Sequence, residues 1–79
     1  MKRNARSAYN ALKKAGISVF ENGWGGENSH FDISGESGDL NGIDYYENYW
    51  GSDLVNGILK KHGLYFEWVN AGVASVYDA

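Results

Sequence analysis

Cysteine is absent from the 79 residues. Its absence excludes disulfide staples, thiolate metal sites and a cysteine nucleophile, and leaves a chain this small to be held by packing alone. A reducing compartment suits such a chain. No apolar run approaches the roughly 18 residues needed to span a bilayer, and the N-terminal residues lack the apolar stretch of a signal peptide. The expectation is a soluble, cytoplasmic protein without membrane contact. The length is about half that of a typical domain, so residues 1–79 are expected to form a single domain, too short for a two-domain enzyme or a doubly wound nucleotide-binding sheet. Hydrophobic side chains (43%) and aromatics (15%) are plentiful, enough to bury a core.

Cations are missing from the middle of the chain. Lys2, Arg3, Arg6, Lys13 and Lys14 fall in residues 1–14, and Lys60 and Lys61 lie near the end. Between them stand only acids: Glu21, Glu27, Asp32, Glu36, Asp39, Asp44, Glu47 and Asp53. Solvated surfaces usually mix both signs, so a 45-residue stretch with no Lys or Arg points to a surface of one sign.

Motifs for chemistry are scarce as well. No Gly-x-Ser-x-Gly elbow aims a nucleophile. His30 and His62 have no metal-ligand spacing around them, and a calcium loop beginning at Ser37 would end on Asn48 where a bidentate Glu is needed. The turn Gly23-Trp24-Gly25-Gly26 lacks the Lys-Ser/Thr of a phosphate loop. No catalytic residue, metal or cofactor is expected.

What is present is periodicity. Ala5, Ala8, Tyr9 and Leu12 share one helical stripe, predicting a helix over residues 4–15 with Asn4 as N-cap and Gly16 as left-handed stop. Leu54, Val55, Ile58 and Leu59 predict a second helix over 52–62, capped by Ser52 or Asp53 and stopped by Gly63. Gly57 inside it suggests close approach of a neighbouring group. Each helix gives way to alternation, at Ile17–Phe20 and again at Leu64–Trp68, and turns at 23–26 and at Asn70-Ala71-Gly72 lead into His30–Ile33 and Val73–Tyr77. Leu12–Ile17 matches Leu59–Leu64 at an offset of 47, suggesting two helix–hairpin units. Residues 43–50 fit neither period cleanly, and their tyrosines favour a strand. The predicted class is α+β: an antiparallel sheet of four to five strands, order α-β-β-(β)-α-β-β, with both helices on one face. The other face would be wet and would carry Asp32 and Glu67 beside Phe20 and Tyr65.

Trp24 either folds back on the core or is presented as an anchor. Tyr45, Tyr46, Tyr49 and Trp50 could stack on bases or sugars, but Asp44 and Glu47 among them repel phosphate, which disfavours direct nucleic-acid binding. Packing of two of these rings in the core is the simpler reading. The basic first helix could instead meet an acidic region of a second copy, leaving a homodimer open.

Side chains on one strand face stand roughly 6.6 Å apart, close to the spacing of phosphates along one nucleic-acid strand, so ordered carboxylates can act as a DNA mimic. In build, the chain resembles small phage-encoded anti-CRISPR proteins: short, soluble, cysteine-free, acidic and without an enzymatic motif. The resemblance spans the whole chain. It implies steric or phosphate-mimicking blockade of a CRISPR effector, a multi-subunit surveillance complex, where target DNA binds, inside a phage-infected bacterial cell. Basic residues 1–14 depart from a pure DNA mimic. The candidate contacts to a Lys/Arg groove of the effector are Glu27, Asp32, Glu36, Asp39, Asp44 and Glu47, with Trp24 and Tyr45 as anchors. The alternatives are a homo-oligomeric phage structural or regulatory protein, or a small carbohydrate-binding module using Trp24, Tyr45, Tyr49 and Trp50.

Overall fold

Ala5, Ala8 and Leu12 recur once per turn and are fully buried in helix α1, Arg3–Lys14. The computed structural model describes residues 1–21, 23–36 and 41–79. Strands β1 (Val19–Phe20) and β2 (Phe31–Ser34) follow, then helix α2 (Asp53–Lys61) and strands β3 (Leu64–Asn70) and β4 (Val73–Asp78). The four strands form one antiparallel sheet in the order β1-β2-β4-β3. This is the expected α+β order.

Register settles which side chains share a face. Val19, Ile33, Ala74 and Trp68 form one row across the sheet, and Phe31, Val76 and Phe66 the next. These rows pack on Ala5, Ala8, Leu12, Val55 and Leu59 of the helices, with Ile17, Ile43 and Leu64 completing the core. On the opposite face the rows are Phe20, Asp32, Ser75 and Glu67, then Tyr77 and Tyr65.

The helix ends differ from each other. Ser52 caps α2 by accepting from the Val55 backbone N–H at 3.1 Å. In α1 the N-cap is Lys2, which gives no side-chain cap. Asn4, expected to cap, lies inside the first turn, where its Nδ2 donates to the His62 carbonyl at 2.9 Å and ties α1 to the end of α2. Gly16 (φ 87°) and Gly63 (φ 72°) both take the left-handed conformation that ends a helix.

Three further expectations are corrected. The outer face is not uniformly wet: residues 23–29 fold over it, and the Tyr77 hydroxyl donates to the Gly25 carbonyl at 3.1 Å. A Cβ on Gly25 would stand 2.5 Å from the Ser75 Cβ, so only glycine lets the loop lie this close. Residues 43–50 are not a strand. Asp44 Oδ1 accepts from the backbone N–H groups of Tyr46 and Glu47, both at 3.0 Å, and a single bridge joins Asp44 to Asn48. A side chain that satisfies its own backbone donors turns the chain rather than extending it. Gly57 meets no close neighbour, since a Cβ there would find no atom within 4 Å.

Candidate binding surface

The described candidate contacts separate into two places, and a groove makes a third. Asp32 is removed from any partner. It is fully buried, accepting from the Ser75 hydroxyl at 2.5 Å on Oδ1 and from the Trp24 backbone N–H at 3.3 Å on Oδ2. It shares the outer face with Glu67 as expected, but the loop above seals it, so its part is to hold that loop. Trp24 and Glu27 ride on this loop and are exposed; the indole, 54% accessible, is presented rather than folded back.

The second place is the end of the sheet where β3 turns into β4. Glu36 is exposed and reaches that turn, with its Oε1 2.7 Å from where a Cβ on Gly72 would lie. The 43–50 turn packs there on Trp68. Tyr45 meets the Trp68 ring edge-on at 5.3 Å and Tyr49 lies tilted against it at 5.8 Å. The Trp68 indole N–H donates to the Tyr49 carbonyl at 2.9 Å. Tyr45 and Tyr49 are thereby partly covered but stay outside the core, so the expected core packing of two of these rings is not met, and Tyr46 and Trp50 project with 82% of their surface exposed. Glu47 is exposed among them, and Asp44 is half-buried by its own turn. Trp24 makes no ring contact with this cluster among the described residues, so the four aromatics of a carbohydrate platform are not brought together. Asp39 lies outside the described residues.

Charge is compensated elsewhere. Lys2 pairs with Asp78 at 2.9 Å and Arg6 with Glu21 at 3.3 Å. Among the described residues no cation reaches Glu27, Glu36, Asp44 or Glu47. The Lys2 ammonium, and then His30, hydrogen-bond the Asp78 carboxyl and hold it below the ordinary carboxylate value.

The third place was not foreseen as a site. Tyr49, Trp50, Asn56, Tyr65, Phe66, Glu67 and Trp68 line an open groove of about 530 Å³ between the N-terminal turn of α2 and strand β3. Tyr65 and Glu67 come from the outer face and Phe66 and Trp68 from the inner one, so the groove opens on the strand's edge. Lost hydration, and then the adjacent Glu67 carboxylate, raise the Tyr65 hydroxyl above the ordinary tyrosine value. The signal in the sequence was the alternation of Leu64 to Trp68, but nothing there said that β3 would be an edge.

No helix among the described residues is long and apolar enough to cross a membrane. The chain matches no protein-family model, no curated protein and no solved structure.

Proposed function

We propose that the protein is a non-catalytic inhibitor that occupies the cationic nucleic-acid-binding surface of a CRISPR effector complex and blocks target DNA there. The observation that carries this reading is the end of the sheet, where, among the described residues, Glu36 at the β3–β4 turn and Asp44 and Glu47 in the 43–50 turn meet no cation, and the rings of Tyr46 and Trp50 project from that second turn. Carboxylates steer the encounter with a positive groove, and desolvated aromatics anchor it. Of the cations at the start of the chain, Lys2 is engaged by Asp78 and Arg6 by Glu21.

Anchoring passes from Tyr45, half-covered on Trp68, to Tyr46 and Trp50. The test is a DNA mobility-shift assay with multi-subunit surveillance complexes. The wild type prevents target binding, and the Glu27→Lys, Glu36→Lys, Glu47→Lys triple variant, which leaves every described hydrogen bond of the fold in place, loses at least tenfold in inhibitory potency. Equal potency of the two proteins, or no blockade of any complex by the wild type, overturns the proposal.

A further inference from the structure

The two edges of the sheet are unequal. One is β1, two residues long, and the other is β3, seven residues long. Antiparallel ladders bond alternate residues, so half of an edge strand's backbone groups turn outward. Which half follows from two bonds. The Ala79 N–H donates to the Gly63 carbonyl at 2.9 Å, and the Gly35 N–H donates to the Gly72 carbonyl at 2.8 Å. The first aligns Tyr65 with Tyr77 and Glu67 with Ser75 as bonded pairs. The second turns Ala74 and Val76 toward β2, which leaves Ser75 and Tyr77 for β3. Both give the same parity. The backbone N–H and C=O groups of Leu64, Phe66 and Trp68 therefore point away from the sheet, and among the described residues no backbone partner meets them.

Natural sheets blunt long edges with proline, bulges or lysine. Here the only bulge lies beyond Trp68, and the only charge between Leu64 and Trp68 is the carboxylate of Glu67. The groove beside this edge holds the same carboxylate and no Lys or Arg. We infer that β3 is a docking edge for an extended, basic segment of a partner protein, which adds to the sheet as a fifth strand. The inference rests on the reading above that the partner is cationic, and it specifies how that partner is held.

Geometry fixes the pattern of the segment. Laid antiparallel, its residues opposite Leu64, Phe66 and Trp68 exchange backbone bonds with them, and their side chains enter the groove over Phe66, Tyr49 and Trp50. Those must be apolar. Residues opposite Tyr65 and Glu67 stand on the outer face, where Lys or Arg meets the Glu67 carboxylate. The recognised pattern is thus an alternation of apolar and basic residues, with main-chain bonds supplying affinity and the alternate side chains specificity.

The test uses the full chain and an acetylated, amidated heptapeptide alternating valine and lysine, with amide hydrogen exchange read residue by residue. Binding is expected to slow exchange at Leu64, Phe66 and Trp68 at least tenfold and to leave Tyr65 and Glu67 unchanged, since their amides already bond to β4. N-methylation of the peptide's valines is expected to abolish the effect, and Glu67→Lys to weaken it severalfold. Absence of protection overturns the inference, as does equal protection by a valine–glutamate heptapeptide. Protection of the same three amides in the free protein that grows with its concentration overturns it too, by giving the edge to a second copy. The outcome is separable from that of DNA blockade: an edge that binds the peptide in a protein that blocks no effector leaves this site standing, with a different basic partner.

Discussion

In the α1-β1-β2 unit the strands are joined by residues 21–30, whereas in the α2-β3-β4 unit Ala71 and Gly72 suffice. The consequences run across one row of the sheet. Asp32 and Glu67 stand on the same face, on either side of Ser75. The long connection of the first unit closes over Asp32 and leaves it fully buried, whereas the short turn of the second leaves Glu67 exposed. Two carboxylates with the same alternation thus have opposite uses, one inside the fold and one facing the solvent. What separates them is the length and glycine content of a neighbouring loop, not anything in the strands that carry them.

The sharpest way to break this comparison is to remove each carboxylate in turn. Asp32→Ala strands the Ser75 hydroxyl and the Trp24 N–H beneath the loop, and a buried donor left unsatisfied costs about 1–3 kcal/mol. Urea unfolding should show a loss of about 2–3 kcal/mol. Glu67→Ala should stay within about 0.5 kcal/mol of the wild type. Equal losses in the two variants would mean that the loop does not distinguish the two positions.

Where the units are alike, the likeness lies in how their helices stop. Gly16 and Gly63 occupy corresponding positions of the matching segments and share a left-handed backbone, so Gly16→Ala and Gly63→Ala should each lower stability by about 1 kcal/mol. Gly57, in an open α2 position with an ordinary helical backbone, should do the reverse. Gly57→Ala is expected to add about 0.5–1 kcal/mol by restricting the unfolded chain and improving helix propensity. Thermal unfolding reads all three, and a destabilised Gly57→Ala would show that the glycine meets a neighbour after all.

These contrasts also mark how far the sequence could be read. Helix stripes, helix stops and strand alternation are local patterns, and they carried the element order and the two-unit plan. Asn4 was misassigned because an amide side chain suited to capping is equally able to donate across to another helix, and His62 is 58 residues away in the chain. The 43–50 segment was misassigned because tyrosines favour strands on average, while Asp44 offers its own backbone two hydrogen bonds. The burial of Asp32 and the open edge of β3 could not be read at all. Both depend on which strands become neighbours and which loop crosses which face, and no local period encodes that.

The smallest expected effect concerns the contact that joins the units. Asp78, in the last strand of the second unit, accepts from Lys2 and meets His30 of the first, both at 2.9 Å. These partners favour the carboxylate and hold its titration below the ordinary value of 3.8. The unfolded chain therefore takes up the proton first as pH falls, so the stabilisation is complete above the ordinary value and is lost as pH drops through the lower folded one. Asp78→Asn should flatten this part of the acid limb in unfolding measured from pH 6 to pH 2: its destabilisation, small because the pair is exposed and screened, is full at neutral pH and vanishes as the wild-type carboxyl takes up its proton. The difference between the two proteins should shrink further in high salt. Superimposable acid limbs at low salt would show that Lys2 and His30 do not join the two units electrostatically, leaving the shared sheet and core to hold them together.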